Sequence, residues 1–233
     1  MRTVIVRFHL LTFVLLFCFV STSFLYEKNE QRQDYVITLD NDTLHGYIDY
    51  KNYKQTPVHI LFKESLGGSG FFYTPKTISG FYTAGKLYRS AIVKIDQSAL
   101  KTIELTLFPE SQFIIDTVFL QAIILGEREL YYLKDSTGNE SFYIKQDSKY
   151  DWLIYKKYQK KQKDKKLVVA NNNYIGQLLL YLQNCPSINS VLSEATYDMK
   201  SLSKVYYYYY DCTNSKLIYR EKEKKLKLFF WLK

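Results

Sequence analysis

From Asp34 to about residue 157 the chain runs in short stretches where apolar and polar residues alternate, separated by clusters of turn formers. A side-chain period of two belongs to a half-buried strand, so this region predicts antiparallel strands joined by tight turns. Tyr35-Val36-Ile37-Thr38-Leu39 and Thr43-Leu44-His45-Gly46-Tyr47-Ile48-Asp49-Tyr50 flank Asp40-Asn41-Asp42. Asn and Asp bond their own backbone and tolerate turn geometry, so the three segments predict a hairpin. Further strands are expected at 58–63, 70–73, 79–83, 86–95 and 102–108. The apolar stretch 113–125 is interrupted by Asp116-Thr117 and closed by Gly126, which predicts a strand, a turn and a second strand. Segments 130–134, 141–145 and 152–158 read as a meander with turns at 135–139 and 146–149. Because each alternates, one face is expected in the core and the other in water.

The period changes after a lysine run, which predicts a basic linker or turn over 158–170. In the helical region expected over 171–213, Asn171-Asn172-Asn173 supplies N-cap residues, and Ile175, Leu178, Leu179 and Leu182 form an apolar helical stripe. Asn184-Cys185-Pro186 ends that helix, and Pro186 suits the first turn of a second one carrying Ile188, Val191 and Leu192. Asp198 is placed to cap a third, in which Met199, Leu202, Tyr206 and Tyr209 keep helical spacing. Such short helices need tertiary packing to exist in water.

The first residues carry a different signal. Arg2 and Arg7 precede the apolar run 10–20, and Ser21, Thr22 and Ser23 follow it. A charged start, a short apolar stretch and small residues at the exit are the parts of a secretory signal peptide, expected over 1–23 with cleavage near Ser23. An uncleaved anchor is the competing reading, but Arg7 and His9 leave the apolar stretch just short of a bilayer span. Cys18 follows Phe17 rather than a small residue, which argues against lipidation, and it leaves with the leader. The protein is therefore expected in the periplasm, in the outer membrane or at the cell surface, with no transmembrane span after cleavage.

Charge then acquires a location. The formal net charge is +9, of which the lysine run 156–166 carries about +6 and the tail 216–233 about +5, leaving the rest of the mature body acidic. Nucleic-acid binders spread their cations over a folded face, and export separates the chain from nucleic acid, so no nucleic-acid partner is expected. The 23 Tyr and 15 Phe favour strands, and where exposed they suit a binding face.

Two cysteines survive removal of the leader, Cys185 and Cys212, one at each end of the last two helical segments. An even pair in an oxidising compartment favours a disulfide. The spacing is far from Cys-x-x-Cys and no histidine lies nearby, so a metal or redox pair is the weaker reading. Catalytic patterns are scarce. His45 and His59 are the histidines of the mature chain, and the sequence contains no His-Glu-x-x-His, Gly-x-Ser-x-Gly or phosphate-loop motif. The glycines at 67, 68 and 70 lead into Phe71-Phe72-Tyr73, without the helix that a phosphate cradle requires. Glu127 and Glu129 form a carboxylate pair, and two acids are what glycoside hydrolysis needs, although such pairs are also ordinary solvent-facing strand residues. No cofactor and no metal is expected.

Four segments carry a family resemblance: Asn41-Asp42-Thr43-Leu44-His45-Gly46-Tyr47-Ile48, Tyr174-Ile175-Gly176-Gln177-Leu178, Asn184-Cys185-Pro186 and Tyr210-Asp211-Cys212. In these the chain resembles uncharacterised secreted proteins of Bacteroidetes, which have a Gly-Tyr-Ile hairpin, a β-rich region and a cysteine-paired helical segment, often ahead of an outer-membrane β-barrel. The resemblance implies envelope localisation and transfers no catalytic residue. In the barrel-bearing relatives a basic segment after the second cysteine leads into the first barrel strand, and 222–233 resembles it. A barrel takes at least eight strands, so the basic tail 214–233 is expected to hold an orphan barrel strand. The expected fold is α+β, with a β-dominated antiparallel region over 34–157 followed by a small disulfide-stapled helical region. The expected function is a non-enzymatic cell-envelope binding or accessory module for an envelope protein or glycan; the alternative is a hydrolase acting on envelope glycans or peptides.

Overall fold

The computed structural model describes residues 34–49, 54–97, 113–162 and 165–221. The expected leader, the strand expected at 102–108 and the tail from 222 lie outside the described residues. Among the described residues the hairpin pattern becomes β1 (Asp34–Ile37), β2 (Thr43–Ile48), β3 (Ile60–Lys63), β4 (Gly70–Tyr73), β5 (Gly80–Thr83) and β6 (Lys86–Asp96). There follow β7 (Phe113–Gly126), β8 (Leu130–Lys134), β9 (Glu140–Gln146), β10 (Lys149–Trp152), β11 (Lys156–Gln162) and β12 (Lys165–Asn171). Three helices close the order, α1 (Asn173–Tyr181), α2 (Ile188–Leu192) and α3 (Met199–Thr213), before a last strand β13 (Leu217–Arg220). The fold is α+β, as the periodicity predicts.

Ten strands pair antiparallel in the order β10-β9-β8-β7-β6-β5-β1-β2-β3-β4, and β13 adds to β7 to make an 11-stranded sheet. Asn41 turns the first hairpin at φ 66°, and Asp147 turns the β9–β10 hairpin at φ 53°. Both are residue types that enter the left-handed region at low cost. Gly46 of the Gly-Tyr-Ile motif has a packing reason: a Cβ there would stand 2.6 Å from the Phe62 ring and closer still to the Lys63 carbonyl oxygen. Only glycine lets β3 lie this near β2.

The expectation of one wet face fails for the centre of the sheet. On β8, Tyr131 and Leu133 enter one core with Leu87, Val93, Leu120 and Tyr143, while Leu130 and Tyr132 enter a second with Phe142 and the helices. A third core, built on Val36, Ile48, Phe62, Phe81, Tyr88 and Phe119, lies under the N-terminal strands. The sheet curls enough for Trp152 on β10 to meet Phe113 on β7 at 5.2 Å between rings, and for the Tyr143 hydroxyl to donate to the Lys94 carbonyl at 3.0 Å. Curling closes one face of β6–β10 on itself, and the helices cover the other face of β7–β9.

Three further expectations change. Segment 113–125 is one strand, not two: β6 pairs with it from Leu87↔Ala122 to Asp96↔Phe113, and Asp116 and Thr117 sit within that ladder, on its exposed half. The turn expected there loses because the ladder with β6 continues through both polar residues. The strand expected at 152–158 begins earlier and breaks after Trp152. There Gln177 of α1 takes over the backbone groups, accepting from Ile154 N–H at 2.7 Å and donating to the Trp152 carbonyl at 2.9 Å. The lysine run is no irregular linker either, since β11 and β12 pair from Lys156↔Asn171 to Gln162↔Lys165 as a separate two-stranded ribbon.

Among the helices, α1 rotates relative to its expected stripe. Tyr174, Leu178, Tyr181 and Leu182 are buried and Leu179 is exposed. Asn172 occupies the cap position without a side-chain cap bond; instead Asn171 accepts from Asn173 N–H at 3.0 Å. On α3 the expected stripe holds, with Leu202, Tyr206 and Tyr209 buried, and Asp198 caps it through Ser201 N–H at 2.9 Å.

Tyrosine hydroxyls join helices to sheet. In the β7–β8 turn, 127–129, Glu127 is exposed but Arg128 and Glu129 are half-buried against tyrosines of α1 and α3, and their backbone groups find partners there. Tyr210 accepts from Arg128 N–H at 3.0 Å and donates to Arg128 C=O at 2.7 Å. Tyr181 accepts from Glu129 N–H at 2.9 Å and donates to Lys145 C=O at 2.8 Å, and Tyr206 donates to Glu129 C=O at 3.1 Å. Tyr197, ahead of α3, accepts from Phe142 N–H at 3.1 Å and donates to Leu153 C=O at 2.7 Å.

Tyr210→Phe strands both backbone groups of Arg128 and is expected to cost about 1–3 kcal/mol in urea unfolding, whereas Tyr208→Phe, whose hydroxyl meets Ser187 at the surface, should cost under about 0.5 kcal/mol. Equal losses would show that the hydroxyl lattice carries no special weight. Asp198 gives a pH-dependent counterpart. Burial raises its carboxyl pKa, but bonds from Thr196, Ser201 N–H and Lys200 N–H outweigh that and hold it below the ordinary value. Its contribution is therefore complete above the unfolded carboxylate value, about 4, and fades as acid protonates it. Asp198→Ala should cost about 1 kcal/mol at neutral pH, and the gap to the parent should shrink as unfolding is measured at pH values falling toward 3.

Candidate functional site

Period-two alternation sends His45, Tyr47 and Asp49 of β2 and its extension to the sheet face opposite Gly46 and Ile48. Cross-strand register places Tyr47 opposite Lys63 and Leu61 opposite Phe72 on that same face. An aromatic row leads onto it from the curled core. Tyr82 stacks on Tyr35 at 5.3 Å with 9° between planes, and Tyr35 meets His45 edge-on at 5.8 Å. At the far end the His59 ring stands edge-on to Phe72 at 5.5 Å. Asp49, Gln55, Pro57, Val58, His59, Leu61 and Phe72 line an open depression of about 240 Å³. That is below the roughly 300–1,000 Å³ of pockets that engulf a small molecule. It suits one side chain or one ring of a larger ligand lying across the face.

This face stays wet for a topological reason. The curl and the helices cover β6–β10, whereas β4 ends the strand order, and no described strand pairs with its outer edge. Phe72 is 69% exposed, Val58 66% and Tyr47 40%. Large apolar groups gathered in this way at one end of a sheet mark interaction surfaces.

The carboxylate pair has a different fate. Glu127 accepts from Ser215 at 2.8 Å, and from Tyr209 and Asn184 at 3.2 Å each, all on the helical side. Glu129 accepts from the Tyr131 hydroxyl at 2.6 Å, with Lys145 at 4.0 Å, on the strand side. The two acids turn to separate partners. The Ser215 bond leads in lowering the Glu127 pKa against an opposing effect of burial, the wrong direction for the general acid of a glycosidase. Burial pushes the tyrosine hydroxyls of the core upward, Tyr181 to about 12 and Tyr131 higher, so these are protonated donors rather than bases.

Cys185 and Cys212 are bonded, with Cα atoms 5.8 Å apart, inside the roughly 7 Å limit for a bridge. The bond ties the turn after α1 to the last turn of α3, and Ser187 Oγ lies 3.6 and 3.7 Å from the two sulfurs. No group of three His, Cys, Asp or Glu placed to hold a metal occurs among the described residues. No described helix is long and apolar enough to cross a membrane.

Sequence reading singled out His45, His59 and the Gly-rich approach to Phe71-Phe72. It missed Asp49, Leu61 and Val58 as their neighbours, because the β2–β3 and β3–β4 registers bring these together across 49–72. The shared phase of Tyr47, Asp49, Leu61 and Lys63 along their strands was the available signal.

No protein-family model matches the chain. No curated protein matches it in sequence. No solved structure matches its fold.

The 27-residue separation of the two cysteines corresponds, by loop entropy, to roughly 3–4 kcal/mol. Cys185→Ala combined with Cys212→Ala is expected to lose that amount in equilibrium urea unfolding. A loss below about 1 kcal/mol would mean that the tyrosine lattice alone holds the helices down.

Proposed function

We propose that this protein is a non-enzymatic binding module of the cell envelope, in the periplasm or outer membrane, which engages an envelope protein or glycan across the outer face of β2–β4. The exposed group of Tyr47, Val58 and Phe72 around the His59 depression carries the reading. Aromatic rings of this kind stack on sugar rings or pack on apolar side chains at little entropic cost, since each has two side-chain torsions. Export rests on the leader expected at 1–23 and on the resemblance to secreted Bacteroidetes proteins.

A hydrolase acting on envelope glycans or peptides is the second reading, favoured by one observation: Asp49 and His59 line the same depression. A carboxylate and an imidazole at one site are the elements of general acid–base chemistry.

The test combines purified envelope glycan and solubilised envelope proteins with the chain and with a Tyr47→Ser, Phe72→Ser variant. Loss of the two aromatic anchors, at about 2 kcal/mol together, should weaken retention roughly thirtyfold, with an unchanged melting temperature. Retention unaffected by the variant would dismiss this face. Release of soluble fragments by the parent but not by His59→Ala would establish the hydrolase instead.

A further inference from the structure

The ribbon β11–β12 has two seven-residue strands paired only with each other. At about 3.4 Å per residue it is roughly 20 Å long. Lys156 is buried at its root, and Lys157, Lys160, Lys161, Lys165 and Lys166 are exposed along it. None of the ion pairs among the described residues involves these five, and Lys161 stands directly opposite Lys166 in the register. Like charges facing one another across a ladder destabilise it, and a two-stranded ribbon with no core of its own has little to spare. This arrangement costs the free protein stability that an anionic surface would restore.

The ribbon also exposes apolar groups. Leu167 is 42% and Val168 51% exposed, and they point to opposite faces. On one face Leu167 lies across from Lys160, two residues from Lys165; on the other Val168 lies two residues from Lys166, with Lys161 opposite Lys166. Each face thus joins ammonium groups to an aliphatic side chain one pleat away. Phosphate backbones alone would use the lysines and leave the aliphatic groups idle. A bilayer interface uses both, with cations at the headgroup phosphates and apolar groups at the acyl boundary.

We infer that this basic ribbon is an arm that docks on an anionic lipid bilayer surface. The site is separate from the aromatic face of β2–β4, so the arm would hold the protein at a membrane while that face stays free for its ligand. Headgroup charge supplies the attraction, which fixes its salt dependence.

The mature chain, residues 24–233, is sedimented with phosphatidylcholine vesicles with and without phosphatidylglycerol, at low and high salt, beside a Lys160→Glu, Lys161→Glu, Lys165→Glu, Lys166→Glu variant. The parent should bind the phosphatidylglycerol vesicles more tightly than the neutral ones and release them at high salt. The variant should lose about a hundredfold or more in affinity. A milder variant with Gln at the same four positions guards against misfolding and should lose affinity in the same direction, with unchanged circular dichroism. Leu167→Ser with Val168→Ser should weaken vesicle binding while keeping its salt dependence. Equal binding to both vesicle types, or by the parent and the Gln variant, overturns the inference. So does tighter binding to duplex DNA than to anionic vesicles, indifferent to Leu167→Ser and Val168→Ser, which would make the ribbon a nucleic-acid arm.

Discussion

A half-buried turn must satisfy the backbone groups it turns inward, and here tyrosine hydroxyls do so. Arg128 and Glu129 of turn 127–129 are half-buried against α1 and α3, and each of their inward N–H or C=O groups left unpaired would cost about 1–3 kcal/mol. Tyr181, Tyr206 and Tyr210 meet four of those groups from two helices. Leucine at these positions would fill the volume and strand the backbone. The run Tyr206–Tyr210 is helical in spite of its strand-forming composition, and helical spacing brings Tyr206, Tyr209 and Tyr210 over this one turn while Tyr208 meets Ser187. Gly126 belongs to the same device: a Cβ there would press into the Tyr210 ring and hydroxyl.

Fixing the helices on β7–β9 has consequences for the rest of the sheet. It buries the second face of the central strands, while the curl that brings Trp152 to Phe113 buries the first. The middle of the molecule is then all core, and exposed apolar and charged groups gather at the margins. One margin is the end of the sheet at β2–β4, where strand order runs out. The other is the lysine ribbon, which leaves the sheet where Gln177 takes over the backbone after Trp152. The disulfide secures the helical layer from its far side, joining the turn after α1 to the end of α3.

Chemistry follows the same division. Polar groups near the helical layer work on structure: Glu127 is held ionised by Ser215, Tyr209 and Asn184, and the buried tyrosines stay protonated. Groups at the margins have looser engagements, His59 against Phe72 and His45 against Tyr35. The proposed recognition across the wet aromatic face would draw on these looser groups.

Local pattern determined a good deal of this protein. Alternation placed β2, β3, β5, β6, β8 and β9 within a residue or two, Asp198 marked the start of α3, and the parity of Cys185 and Cys212 in an expected oxidising setting marked their bond. These depend on neighbours in sequence or on a count. What depended on which segments pair or pack together was decided only in three dimensions. Asp116-Thr117 reads as a turn until β6 pairs across it, residues 158–170 read as a linker until their two halves pair with each other, and the α1 stripe turns toward Tyr174 and Tyr181 because their hydroxyls have bonds to make at Ala195, Lys145 and Glu129. The candidate site lay half in view: His59 and Phe72 stood out as residue types, but the register that sets them beside Asp49 and Leu61 is a property of the paired sheet, since a shift of one residue would send every one of these side chains to the opposite face.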